Sequence, residues 1–205
     1  MQINIKSYQL ENGLTVYFYH DRTKHSVIVN LIVKFGGKDT DVIIDGEYYH
    51  LKNGMAHLLE HYTIEQNQYG NLISLLTKKF MYTNGVTNRL YTRYYFDAVK
   101  YIDEGLEILI KGIHRSIFSE QNLEITKHAI REEIRGVQDS IGRRINVLEM
   151  EQLFHNRSYR SNIGTIFDVD SVTIEDVEKV YRAFYQPSNE IIVVAGNFQE
   201  KEMLE

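Results

Sequence analysis

The residues most able to do chemistry lie in one short segment, His57-Leu58-Leu59-Glu60-His61. The order H-x-x-E-H places two histidines one helical turn apart, so both imidazoles can hold the same metal ion. Glu60 falls on the same helical face, whereas the neighbouring apolar side chains point to the opposite face. The pattern predicts an amphipathic helix that is apolar toward a core and metal-binding toward a cleft. The alternative interpretation is a solvated helix face that carries these residues without a metal.

A zinc ion held by two histidines needs a third protein ligand and an open position for water. Glu132 and Glu133 lie in a long predicted helix after residue 119. The apolar stripe of that helix includes Ile130 and Ile134. Glu133 borders the stripe, about 60° from Ile130, and Glu132 points roughly to the opposite face. Helical phase alone does not choose between the two glutamates, and most paired glutamates on helices are simply solvated.

Apolar periodicity and turn signals predict the elements that must position these residues. Strands come first, helices crowd the middle and a strand returns at the end. This order predicts an α+β fold, a mostly antiparallel sheet with helices packed on one face. The predicted strands are residues 3–10, 13–20, 25–35, 80–98 and 190–196. Besides the motif helix, which Asn53 is expected to cap, the predicted helices are residues 69–79, 99–116, 120–154 with a break near Gly142, and 173–185. Residues 38–52 are predicted to be a polar loop.

Length and composition limit the class of protein. With 205 residues, 43% hydrophobic and 25% charged, the chain is predicted to form a single globular domain over residues 1–205. A net charge of −5 without a basic run argues against nucleic-acid binding, and no apolar stretch is long enough to predict a membrane span. Cysteine is absent, which excludes disulfides and a thiolate zinc site. The N-terminal segment lacks a signal-peptide pattern, so a cytoplasmic location is expected.

The chain resembles the pitrilysin/insulinase family of zinc metallopeptidases over nearly all its length. Six segments carry the resemblance, in order along the sequence. They are Asn12–Val16 for the first hairpin, Gly54–His61 for G-x-A-H-F-L-E-H, Asn84–Thr87 for N-A-x-T, Ile130–Ile134 for the helix that completes the site, Tyr185–Asn189 for Y-x-P-x-N, and Val193–Asn197 for V-V-x-G-N. The implied fold is the α/β roll of the pitrilysin-like domains.

The resemblance also implies a role for each residue of the motif. His57 and His61 become ligands of Zn²⁺, and Glu60 becomes the general base that acts on a zinc-bound water. Family members use the first glutamate of the second segment as the third ligand, which is Glu132 in this sequence. The implied activity is that of a zinc-dependent endopeptidase.

This sequence departs from the family near the third ligand. Family members tend to have another glutamate seven residues before that ligand, where it can orient a histidine. Ile125 stands at that position here, with Glu124 beside it. His128 lies one turn before Glu132 and is a second candidate, although a partly exposed helix histidine is the simpler interpretation.

Peptides are the expected substrates, because a strand within residues 82–96 can act as an edge that adds an extended chain. The resemblance makes Asn84 the candidate for holding the substrate backbone, and a turn formed with Gly85 is the alternative for this residue. Bacterial processing members of the family, some of which act on small peptides, resemble this chain most.

Family enzymes are built from repeated domains of about this size. The chain is therefore expected to be one half or one repeat of a larger assembly, and its partner a second pitrilysin-like domain or subunit in a homodimer or heterodimer. The alternative function is a non-catalytic or regulatory partner subunit that binds peptide without cleaving it. Intact His57, Glu60, His61 and Glu132 argue against that alternative, because a degenerate subunit has no reason to keep all four.

Overall fold

Residues whose side chains alternate between buried and half-buried positions form the four central strands of the main sheet. The structure is a computed structural model and describes residues 5–153 and 162–204. Its strands are β1 (Ile5–Gln9), β2 (Thr15–His20), β3 (Val27–Val33), β4 (Asp41–Ile44), β5 (Glu47–His50), β6 (Tyr82–Thr87), β7 (Thr92–Ala98) and β8 (Glu190–Gly196). Its helices are α1 (Met55–Glu65), α2 (Leu72–Lys78), α3 (Ile102–Ile113), α4 (Glu120–Asp139), α5 (Ile141–Leu153), α6 (Ile166–Asp170), α7 (Ile174–Phe184) and α8 (Glu200–Leu204). Pro187–Asn189 form a short 3₁₀ turn before β8.

Six strands of the described residues make one sheet in the order β1-β2-β8-β3-β7-β6. Neighbouring strands pair antiparallel except for β2 and β8, which run parallel. The late strand β8 lies between the early strands β2 and β3, and β6 forms one edge. The prediction of a mostly antiparallel α+β fold is confirmed.

The core lies between this sheet and the helices on one of its faces. Every second side chain of β3, β7 and β8 is buried, including Leu31, Phe96 and Val194. Helices α1 and α3 contact β7, and α1 and α2 contact β6. Fully burying one such apolar side chain contributes about 1.5–3 kcal/mol, so this face supplies much of the stability. No helix among the described residues is long and apolar enough to cross a membrane.

The predicted loop over residues 38–52 was wrong, because β4 and β5 form a separate two-stranded hairpin there. Asp45 (φ 53°) and Gly46 (φ 83°) form its turn, and the left-handed backbone at both positions is typical of a tight hairpin. Ile43 and Tyr48 are 74% and 69% exposed. On the other face Ile44 is buried and Val42 and Tyr49 pack half-buried against the core, so the apolar pattern of these two strands is too short to be clear in the sequence.

The other predicted elements differ mainly at their ends. The predicted strand over residues 80–98 is two antiparallel strands, β6 and β7. The break expected near Gly142 occurs at Ser140, between α4 and α5. Residues 3 and 4 of the first predicted strand, and residue 154 of the predicted helical stretch, lie outside the described residues.

Candidate metal centre

Helix α1 carries the H-x-x-E-H segment and begins after Gly54, which has a left-handed backbone (φ 83°). A Cβ atom on Gly54 would lie 2.4 Å from the carbonyl oxygen of Ile163, so both the backbone and the available space require glycine. Gly54 is the N-cap and no side chain caps the helix, so the expectation that Asn53 caps it was wrong. Leu58 and Leu59 are buried in the core and fix the rotation of the helix. The two histidines consequently face a cleft between α1, β6 and α4.

His57, His61 and Glu133 form the candidate metal centre. Glu133 Oε2 lies 3.5 Å from His57 Nε2 and 3.4 Å from His61 Nε2. One ligand atom from each of the three residues lies within 4.8 Å of the others. Packing of α4 against α1 brings these residues together although 72 positions separate His61 from Glu133.

These positions suit a catalytic zinc ion. Two ligand atoms at 2.0–2.2 Å from a tetrahedral zinc ion are roughly 3.3–3.5 Å apart, and both measured distances to Glu133 agree with that spacing. Two histidines and one glutamate are also a ligand set that catalytic zinc sites use, with the fourth position open. The side chain of Glu133 is 40% exposed, so the centre is accessible from the cleft.

The expectation that Glu132 is the third ligand disagrees with this geometry. Glu132 is exposed and pairs with Arg135 on the outer side of α4. Leu123, Ile130 and Ile134 belong to the buried stripe of α4. Because this stripe faces the core, Glu133 points toward the histidines and Glu132 does not. The structure therefore corrects the candidate from Glu132 to Glu133.

Glu60 lines the same cleft as the three candidate ligands. It is only 6% exposed, and the hydroxyl of Thr87 donates a hydrogen bond of 2.6 Å to its Oε2. Sequence reasoning assigned no role to Thr87, although this residue lies in the segment that resembles N-A-x-T. The sequence could have indicated this contact, because Thr87 lies two residues after Gly85 in the same strand and therefore faces the same side of the sheet.

The charges of the centre are shaped by burial and by close pairing. Burial, together with the neighbouring His61, lowers the pKa of His57 to about 4, so its imidazole is neutral near pH 7 and free to bind a metal. Burial alone would lower the pKa of His61, but its hydrogen bond to Glu133 and the charge of Glu60 outweigh burial and raise it. The hydrogen bond with His61 lowers the carboxyl pKa of Glu133. Burial raises the pKa of Glu60 against the opposing hydrogen bond from Thr87, a direction that suits a general base.

Neither candidate for orienting a histidine reaches the centre. Glu124 pairs with Lys127 and Arg131, and His128 is exposed on α4. Counted from Glu133, the position seven residues earlier is Thr126, which is fully buried. The Thr126 hydroxyl and Nδ1 of His57 are both buried without a hydrogen-bond partner among the described residues. A carboxylate that orients His57 is therefore absent from the described part of the chain.

The cleft has a volume of roughly 410 Å³ and opens beside the edge strand β6. Asn84 lies in β6 opposite Tyr95 of β7 and lines the cleft, so its alternative interpretation as a turn residue was wrong. Its side-chain oxygen accepts a hydrogen bond of 2.9 Å from the backbone N–H of Gly85. Within residues 82–96, where an edge strand was predicted, β6 is the edge, because β7 pairs with β6 on one side and with β3 on the other.

Comparison with known sequences agrees with the geometry. The sequence model of the insulinase family, peptidase family M16, matches residues 15–163. A Bacillus subtilis protein named as an uncharacterized zinc protease, YmfH, is 27% identical over 92% of this chain. The alignment covers 44% of that protein, so the chain spans about half the length of the curated relative it matches.

Comparison with solved structures shows the same fold. The crystal structure of an M16-like protein from Alicyclobacillus acidocaldarius matches 100% of this chain with a TM-score of 0.89 and 24% identity, and the match covers 48% of that protein. A structure from Pseudomonas fluorescens, described as an inactive domain of peptidase M16, matches 98% of the chain with a TM-score of 0.77 and 14% identity, covering 48% of that protein. The fold thus occurs both in a peptidase-like protein and in an inactive domain.

Proposed function

The chain belongs to the insulinase family, peptidase family M16, and from that membership we propose that it is the zinc-binding domain of an endopeptidase. Its substrates are small or unfolded peptides. The observation that carries the proposal is the convergence of His57, His61 and Glu133 within 4.8 Å beside the buried carboxylate of Glu60. A centre of this kind has both metal ligands and a base, which are the two parts that metal-assisted peptide hydrolysis needs.

His57, His61 and Glu133 would hold the zinc ion. Bound zinc supplies positive charge that polarises the scissile carbonyl and lowers the pKa of the attacking water. The neutral state of His57 and the ionised state of Glu133 are the protonation states that ligands require.

Glu60 acts as the general base in this proposal. Its carboxylate takes the proton from water as the water attacks the carbonyl carbon, and then delivers that proton to the leaving amine. Burial favours the neutral form of Glu60 and so strengthens it as a proton acceptor. It lies one residue before His61, so the same turn of α1 carries base and ligand.

The substrate binds as an extended strand along β6. The outer edge of β6 has backbone groups without a strand partner in the described sheet, and such an edge can pair with a peptide. Asn84 is our candidate for holding the peptide backbone, because it is exposed on this strand and lines the cleft.

The complete enzyme contains a second domain of the same family, in the same chain or in a partner subunit. The support is that relatives with this fold are about twice as long as the matched region. The cytoplasmic location expected from the sequence stays a prediction, which fractionation of the producing cells would test.

The second candidate function is a non-catalytic partner subunit that binds peptide. The match to an inactive domain of peptidase M16 favours it, because that domain shares the fold. The retained base and candidate ligands favour catalysis, because a subunit that only binds peptide does not need a general base such as Glu60.

Substitution of Glu60 tests the proposal. Glu60→Gln should keep stoichiometric zinc and lose hydrolysis by about 10²–10⁴-fold, because it removes the base and leaves the ligands intact. Zinc content and cleavage of short unstructured peptides are measured on the purified chain, with the second domain supplied. Glu65→Gln is the matched control, because Glu65 lies on the same helix and lines the same cleft. A Glu60→Gln variant that hydrolyses peptides like the wild type, or one that loses its zinc, would contradict the proposal.

A further inference from the structure

The carboxylate of Glu60 is held between helix α1 and strand β6. A buried carboxylate is costly unless hydrogen bonds compensate for lost water, and Glu60 is only 6% exposed. Its Oε2 accepts the 2.6 Å hydrogen bond from Thr87. Thr87 is therefore the residue of β6 that holds this carboxylate in place.

The anchor itself has a fixed orientation. The Thr87 hydroxyl lies 3.2 Å from the hydroxyl of Thr92, which is fully buried and donates to the carbonyl oxygen of Phe35 at 3.0 Å. An ionised carboxylate only accepts hydrogen bonds, so the Thr87 hydrogen points to Glu60. The chain of contacts connects Glu60 to the start of the loop after β3.

We propose that Thr87 of β6 is a positioning residue that sets where the carboxylate of Glu60 lies over the metal centre. Its hydroxyl fixes Oε2 by a hydrogen bond. The strand that receives the substrate thus also aligns the base. This inference rests on the proposed function, in which Glu60 takes the proton from water.

Removal of the Thr87 hydroxyl is the first test. Thr87→Val keeps the shape of the side chain and should lower kcat about 10–100-fold, because a base displaced by about 1 Å loses about that much, while KM and zinc content stay unchanged. Thr87→Ser restores the hydroxyl and should recover most of the loss. Thr83→Val is the matched control, since Thr83 lies on the same face of β6 and donates to the carbonyl oxygen of Tyr95. All variants are assayed on the zinc-loaded chain with its second domain.

Equal losses of kcat in Thr87→Val and Thr83→Val, or no rescue by Thr87→Ser, would overturn the inference.

Crystal structures of the zinc-loaded wild type, Thr87→Val and Thr83→Val separate this inference from the proposed function. The Glu60 carboxylate should keep its position in Thr83→Val and move in Thr87→Val. The position of the carboxylate in these structures tests the positioning role of Thr87 even if the wild type cleaves no peptide. Absence of cleavage by the wild type would refute the proposed function and leave the positioning role standing. An unmoved carboxylate in Thr87→Val overturns the positioning role.

Discussion

At the residue scale, the candidate metal centre combines side chains with different access to solvent. The side chains of His57, His61 and Glu133 are 12%, 25% and 40% exposed, so access increases from the inner histidine to the carboxylate. An incoming metal ion can therefore reach Glu133 first and is enclosed by the histidines afterwards. Loss of the Glu133 carboxylate should weaken metal binding without disturbing the core, because the residues by which α4 packs on the core are others, such as Ile130 and Ile134.

We expect Glu133→Gln to weaken zinc binding by about 100-fold or more, since loss of even an outer partner of a ligand typically costs about 10–100-fold. Glu132→Gln is the matched control and should change the affinity little, because Glu132 pairs with Arg135 away from the histidines. Competition titration with a zinc chelator measures both affinities. The opposite ranking of the two variants would return the ligand role to Glu132.

The difference between these two glutamates could be seen only in part from the sequence. Helical phase put Glu133 at the border of the apolar stripe, and the structure places Ile130 and Ile134 of that stripe in the core. The resemblance pointed one residue earlier, to Glu132. A one-residue choice changes the direction of a side chain by about 100°, and the packing of α4 on α1 decides it. That packing is a tertiary contact that a single sequence does not contain.

At the element scale, regular burial made the sheet predictable. Strand β8 was predicted with the residues that it has, because every second side chain of residues 190–196 faces the core. The hairpin of β4 and β5 escaped prediction because most of its side chains are exposed and its core-facing side has only Val42, Ile44 and Tyr49. Helix α8 was also missed, and its short length leaves no periodic pattern to detect.

One carboxylate of helix α8 contacts three side chains of the sheet. Glu200 accepts a 2.9 Å hydrogen bond from the hydroxyl of Tyr8 and pairs with Lys6 and His20 at 2.5 and 2.7 Å. The hydrogen bond from Lys6, followed by that from Tyr8, lowers the pKa of Glu200 from its usual 4.5 to about 2. A lowered pKa in the folded state means that this carboxylate stabilises the fold above about pH 4.5 and that the contribution is lost as the pH falls toward 2.

Glu200→Gln should therefore lower the melting temperature at pH 7 by about 1–3 °C, a small effect because ion pairs at the protein surface contribute little. The difference from the wild type should shrink as the pH falls from about 4.5 to about 2. Thermal unfolding followed by circular dichroism at several pH values measures it. Glu11→Gln is the control, because Glu11 has no ion pair with a described residue. A difference that stays constant across this pH range would argue against the ion pairs as its cause.

At the scale of the whole molecule, the candidate site lies at an open border of the domain. The cleft is flanked by the sheet edge β6, and Asn84 is exposed on that strand. A peptide bound there is held from one side by the described residues. A second domain would enclose the peptide and fix its position over the centre.

The 205-residue chain alone should bind zinc but cleave peptides slowly, and a second domain of the same family should raise turnover by orders of magnitude. Orientation of a substrate is worth about 7–11 kcal/mol in the best cases, and a one-sided site realises only part of it. Peptide cleavage by the purified chain, with and without an added second domain of the family, measures the effect. Light scattering gives the oligomeric state in parallel. Full turnover by a strictly monomeric chain would show that no second domain is needed.

The place of β8 between β2 and β3 also governs when the protein can fold during synthesis. Val33 ends β3 and Glu190 begins β8 roughly 160 residues later, which is roughly eight to thirty seconds of translation at about 5–20 residues per second. Until β8 emerges from the ribosome, β2 and β3 each keep an edge without its native partner, and such edges promote aggregation. Pairing between strands so distant in the chain is also slow to form. The six-stranded sheet can therefore close only after β8 has been synthesised, and until then the open edges of β2 and β3 need protection from aggregation.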